Sequence, residues 1–119
     1  MLHVASPFQT EGTADQIITP ALKGTEAVLK ACRDFELKKC IFTSSIATVA
    51  DGDNIKDIYN EDDWANENYR LASVYSKSKI LAEKMVWDFR KNLKDSNLEL
   101  VTINPGLVIG TTSLLNTKC

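Results

Sequence analysis

Three short apolar runs alternate with two longer segments of helical periodicity, and this order restricts the possible folds more than any other feature of the chain. The runs are Leu2 to Ala5, ended by Ser6-Pro7; Lys38 to Thr43, closed by Ser44-Ser45; and Leu98 to Ile103, stopped by Asn104-Pro105-Gly106. Each is short, apolar and bounded by turn formers, as a buried strand requires. Between the first two, Ile17, Ile18, Leu22, Ala27, Val28, Leu29 and Cys32 recur at helical spacing from about Thr13 to Arg33, with Thr13 or Asp15 as candidate caps. Pro20 is expected to mark where the regular helix begins or bends. From about Val74 to Leu93, Ile80, Leu81, Met85, Val86 and Phe89 form one apolar face, with Lys77, Lys84, Asp88 and Lys91 opposite. Residues 46 to 72 are turn-rich and acidic, and read as a long surface loop. Strand, helix, strand, loop, helix, strand is the signature of right-handed βαβ crossovers. The fold class is therefore α/β, with three parallel strands and a sheet expected to be covered on both faces.

Composition narrows the function. The 119 residues make one domain's worth of chain, 1–119, with the 44% hydrophobic and 25% charged content of a soluble globular protein. A net charge of −2 lacks the basic footprint that nucleic-acid binding needs. Three scattered cysteines (Cys32, Cys40, Cys119) supply neither a disulfide framework nor a CxxC site, which fits a reducing compartment. No stretch resembles a secretory signal or a membrane span, so the expectation is a cytoplasmic protein without membrane or nucleic-acid partners.

One constellation carries chemistry. Tyr75 and Lys79 stand four apart at the start of a helix, hence on one face, while Ser44 and Ser45 close the second strand. A phenol normally titrates near 10 and carries protons poorly at neutral pH. An ammonium one turn away favours the phenolate and brings it toward working range. A serine hydroxyl could hold the same carbonyl oxygen. Such a set suits hydride transfer between a nicotinamide and a carbonyl or alcohol carbon. In isolation, a Tyr and a Lys at this spacing are more often an ordinary amphipathic face with a snorkelling lysine. His3 is the only histidine, which excludes a histidine triad or multi-histidine metal site within the chain. Glu61, Asp62 and Asp63 read as a solvated or turn-capping group, with no metal expected. Cys40 reads as a small core residue, and Trp64 and Trp87 as anchors of a loop and a helix in the core.

Taken together, His3 to Phe8, Ile18-Thr19-Pro20-Ala21, Gly24-Thr25, Val28-Leu29, Phe42 to Ser45, Glu61 to Trp64, Tyr75 to Lys79, Ala82-Glu83-Lys84 and Asn104 to Gly110 resemble, in order, the extended short-chain dehydrogenase/reductase family. Within that NAD-dependent epimerase/dehydratase superfamily, the resemblance is to the dihydroflavonol reductase, cinnamoyl-CoA reductase and aldehyde reductase branch. It implies Ser45 as the serine bonding the substrate oxygen, with Ser44 as fallback, Tyr75 as general acid/base, and Lys79 as the group that lowers the Tyr pKa and holds the nicotinamide ribose. It further implies that Val4, Ala5, Ser6, Thr43 and Ser44 face the cofactor and that Pro105, Gly106, Leu107 and Val108 line the nicotinamide.

The same resemblance implies a partial Rossmann fold. The family's first strand and Gly-rich phosphate-binding turn have no counterpart among the five scattered glycines, and Thr111 to Cys119 match nothing in its C-terminal substrate lobe. The expected function is NAD(P)H-dependent reduction of a small carbonyl, with NADP favoured over NAD, although the isolated chain is expected to be inactive without that turn. The alternatives are a non-catalytic fragment that self-associates through an exposed sheet edge, or the 3β-hydroxysteroid and sugar-nucleotide chemistries that share the triad.

Overall fold

The computed structural model describes residues 1–7, 12–52, 55–93 and 96–110. Phe8 and the segment Thr111 to Cys119 lie outside the described residues. The elements run β1 (Leu2–His3), α1 (Ala14–Asp34), β2 (Lys39–Thr43), α2 (Ala47–Ala50), α3 (Val74–Asn92) and β3 (Glu99–Ile103). The strands form one parallel sheet in the order β1-β2-β3, with Ile41 opposite both Leu2 and Val101.

Local chemistry sets the helix ends. Thr13 is the N-cap of α1, and its backbone N–H donates to Gln16 Oε1 at 3.1 Å, one half of a capping box. Pro20 does not begin the helix. It sits in the second turn of a continuous α1, where its ring withholds one donor from the ladder. Ser73 caps α3, its Oγ accepting from the Ser76 N–H at 2.9 Å. The region read as a featureless loop contains the single helical turn α2, too short to show a period. That turn is tied to the rest of the loop by the Ala65 N–H donating to Thr48 O at 2.8 Å.

The core lies between the sheet and the two long helices. Leu29 and Cys32 of α1, Cys40 and Phe42 of β2, Val86 of α3, and Leu98 and Leu100 form one buried cluster. Met85 and Phe89 pack against it. Burial pushes the Cys40 thiol up to about 12, aided by the neighbouring Cys32 thiol, so it is an inert core group.

Two expectations about the sheet fail for physical reasons. Strand order follows chain order, so both right-handed crossovers fall on the same side, and α1 and α3 pack on each other there. The opposite face, with Leu2, Val101 and Ile103 at 62%, 39% and 49% exposure, is bare of helices among the described residues. Strand β1 also stops two residues earlier than expected. The Ile41 N–H bonds Met1 O, so odd-numbered β2 residues face β1; beyond Ile41 the next acceptor on that side is Thr43 O, and the Lys79 ammonium donates to it at 3.3 Å. The two strands part at that point.

Because Leu29 is the fully buried centre of the cluster, Leu29→Ala should cost about 2–5 kcal/mol in urea unfolding. Phe35→Ala, at a site 78% exposed, should cost less than about 0.5 kcal/mol.

Candidate active site

The carboxyl ends of all three strands open into one crevice, the place where open parallel sheets bind ligands. A cavity of about 350 Å3 occupies it. Val4 and Ser6 enter from the segment after β1, Thr43, Ser44 and Ser45 from the end of β2, Tyr75 and Lys79 from α3, and Pro105 to Val108 from the segment after β3. Of the twelve sequence candidates, eleven line this cavity, all except Ala5. Ala5 instead lines a void of about 30 Å3 beneath the cavity, together with His3, Thr25 and Glu83.

Helical spacing places Tyr75 and Lys79 as expected. The ammonium lies 5.8 Å from the Tyr75 ring centroid and donates to Thr43 O. Lys79 is 7% exposed. Burial lowers its pKa from 10.5, and the Glu83 charge opposes the shift. The same ammonium, after burial, lowers the pKa of His3, which packs edge-on against Phe42 at a 5.3 Å centroid distance.

The two serines are separated by their partners. Ser44 Oγ turns inward and donates to Glu83 Oε2. Ser45 Oγ accepts from the Ala47 N–H at 3.2 Å and donates to nothing among the described residues. A hydroxyl with an uncommitted proton at a cavity wall can bind an oxygen there. Leu107 and Val108 are 91% and 83% exposed, an apolar wall that would suit a flat ring. With the ammonium and phenol opposite, these residues fit the nicotinamide and ribose end of a dinucleotide. A glycine-rich cradle for its pyrophosphate is not found in the sequence.

Sequence reasoning missed the group on which these positions depend. Glu83, 7% exposed, receives Ser44 Oγ, Thr48 Oγ1 at 2.8 Å and Asn104 Nδ2 at 2.8 Å on Oε2, and Thr102 Oγ1 at 3.0 Å and Trp87 Nε1 at 3.4 Å on Oε1. Its spacing of four from Lys79 and eight from Tyr75 was the available signal. Two other readings change. Trp64 is 38% exposed rather than a core anchor, with Lys84 Nζ 5.8 Å from its ring and paired to Glu67. Lys84 thereby fastens the loop to α3 instead of lining a solvated face. Asp63 caps a turn, accepting from the Asn60 N–H at 3.0 Å and pairing with Lys56.

The model of the 3-beta hydroxysteroid dehydrogenase/isomerase family matches residues 1–116. Among curated proteins, dihydroflavonol 4-reductase of Arabidopsis thaliana is 33% identical over 92% of this chain and 30% of its own length. Cinnamoyl-CoA reductase of Medicago truncatula is 38% identical, covering 92% of this chain and 35% of that protein. The solved structure of Candida albicans Gre2 in complex with NADPH superposes with a TM-score of 0.80 at 35% identity, over 95% of this chain and 37% of that one. The chain thus spans about a third of the length of the relatives it matches.

The folded His3 pKa lies below the unfolded value of 6.5, so the unfolded chain binds the extra proton first. Stability is full above 6.5 and falls as pH drops through the lowered folded value. Melting temperatures taken over about two pH units below neutrality should show that decline, and His3→Phe should flatten it.

Proposed function

The chain belongs to the 3-beta hydroxysteroid dehydrogenase/isomerase family, and on that premise we propose that it carries the proton-transfer and nicotinamide-facing part of an NAD(P)H-dependent oxidoreductase acting on small carbonyls and alcohols. The observation that carries this reading is the single crevice in which Ser45, Tyr75 and a buried Lys79 meet at the strand ends. NADPH is the favoured cofactor, because the Gre2 structure is a complex with NADPH. Bound there, the nicotinamide supplies a hydride to the carbonyl carbon.

The chain's own residues do the rest. Tyr75 donates its phenolic proton to the carbonyl oxygen as negative charge develops on it. Lys79, one turn along α3, stabilises the resulting phenolate, and its ammonium also offers a donor to ribose hydroxyls. Ser45 Oγ, with its proton uncommitted among the described residues, donates to the same substrate oxygen and fixes the carbonyl. Val4, Ser6, Thr43 and Ser44 border the cofactor side, while Pro105, Gly106, Leu107 and Val108 wall the ring. The 3β-hydroxysteroid chemistry in the family's description is the second reading for the same site, and a substrate panel of ketosteroids against aryl and aliphatic aldehydes separates the two.

The free thiols Cys32 and Cys40 support a reducing, cytoplasmic setting, and no helix among the described residues is long and apolar enough to cross a membrane. The bare face bearing Leu2, Val101 and Ile103 favours self-association of the isolated chain. Sedimentation velocity should show a mass that rises with concentration; a fixed monomer would contradict it.

NADPH should raise the melting temperature of the chain saturably, since a ligand of the folded state alone stabilises it by mass action. Tyr75→Phe should preserve that shift while lowering any nicotinamide-dependent carbonyl reduction by about 10^2 to 10^4-fold. Absence of both nucleotide stabilisation and turnover would overturn the reading.

A further inference from the structure

We propose that Glu83 is a positioning residue that sets Ser45 against Tyr75, an inference that rests on the oxidoreductase reading of the crevice. Tyr75, Lys79 and Glu83 form one stripe of α3, each a turn after the last. The third member is buried and does not line the cavity. It does not border the crevice that holds Ser45 and Tyr75, so what it does for the chemistry there passes through other groups.

Those groups converge on Ser45. Ser44, its chain neighbour, is tied to Glu83 Oε2 through Oγ. The Ser45 carbonyl is approached by Thr48 Oγ1 at 2.9 Å and by Asn104 Nδ2 at 3.2 Å, and both of these also reach Glu83 Oε2. Asn104 in turn precedes Pro105, whose carbonyl accepts from the Ile46 N–H at 2.9 Å. One carboxylate oxygen therefore gathers the end of β2, the turn α2 and the segment after β3. The peptide bearing Ser45 hangs between them.

The chemistry demands a carboxylate at this point. Five donors face its two oxygens: three hydroxyls, one amide and one indole N–H. A carboxylate is acceptor-only and can take them all, whereas the amide of Gln would turn its N–H2 group toward either Trp87 Nε1 or Asn104 Nδ2, neither of which can accept. Hydrogen bonds to an ionised acceptor are also the shorter and stronger kind. Because Glu83 shares a helix with Tyr75, fastening the serine segment to Glu83 fastens it to the frame that carries the phenol.

The test compares the 119-residue chain with Glu83→Gln, and with Thr48→Val, which removes one donor while keeping side-chain shape. In amide exchange, Glu83→Gln should accelerate Ser44, Thr48 and Ala65 by at least about tenfold and Leu29, in the middle of α1, by less than about threefold. A uniform acceleration would make Glu83 an ordinary stabiliser and overturn the proposal. Where carbonyl reduction with NADPH is measurable, Glu83→Gln should lower kcat by more than about tenfold with the nucleotide KM held within about twofold, and should add little to the loss in Ser45→Ala. Losses that multiply would mean that Glu83 does not act through Ser45. If neither turnover nor stabilisation by NADPH is found, the oxidoreductase reading fails, and the exchange pattern still decides whether Glu83 holds the serine segment. Should Glu83→Gln not fold, Thr48→Val is expected to accelerate Ser44 and Ala65 in the same direction, and an unchanged pattern would count against the proposal.

Discussion

The arrangement of the crevice depends on one buried carboxylate. Taking a charge from water costs several kcal/mol even after a protein relaxes around it, and only a full set of donors offsets that. Glu83 has such a set, drawn from β2, α2, β3, the segment after β3 and its own helix. No buried side-chain nitrogen or oxygen among the described residues is left without a partner. A carboxylate bonded in this way orients as well as binds, because each donor enters from a different element. The elements are fixed relative to one another at the ends that border the crevice, while apolar packing fixes them at the other.

A second buried charge stands where the crevice opens. The Lys79 ammonium donates to Thr43 O, on the β1 side of β2 just beyond the last paired residues, where the two strands have separated. In an unsubstituted parallel pair the next rung would close that gap. The same lysine lines the cavity, close to Tyr75. Its burial lowers its pKa, and the nearby Glu83 charge keeps the shift from going further.

Periodicity carried the architecture because burial is a property of whole segments. The apolar runs at Cys40–Phe42 and Leu98–Ile103 and the spacing of Ile17, Ala21, Leu29 and Cys32 expose the strands and α1 directly. Tyr75, Lys79 and the strand-end serines were legible for a related reason, since a helical stripe and a strand terminus are local. Three things were not. The turn α2 is shorter than any period. The strand β1 stops at His3, inside one apolar run that gives no sign of the break. The Glu83 network joins Ser44, Thr48, Thr102 and Asn104, whose partnership exists only after the sheet has formed. A single sequence marks each as an ordinary polar residue.

The inner face of α3 shows how site and core divide the molecule between them. In its first half the buried positions are Ser76, Ser78, Lys79 and Glu83, with Ile80 alone among them as an apolar side chain. In its second half Val86, flanked by Met85 and Phe89, joins the cluster of Leu29, Cys40, Leu98 and Leu100. Polar residues occupy places where leucine would bury more apolar surface, and each buried polar group needs a partner to avoid a net loss. That requirement makes the polar half directional where the apolar half is merely close-packed. The apolar end holds the sheet to the helices, and the hydrogen-bonded end decides where the serine, the phenol and the ammonium stand.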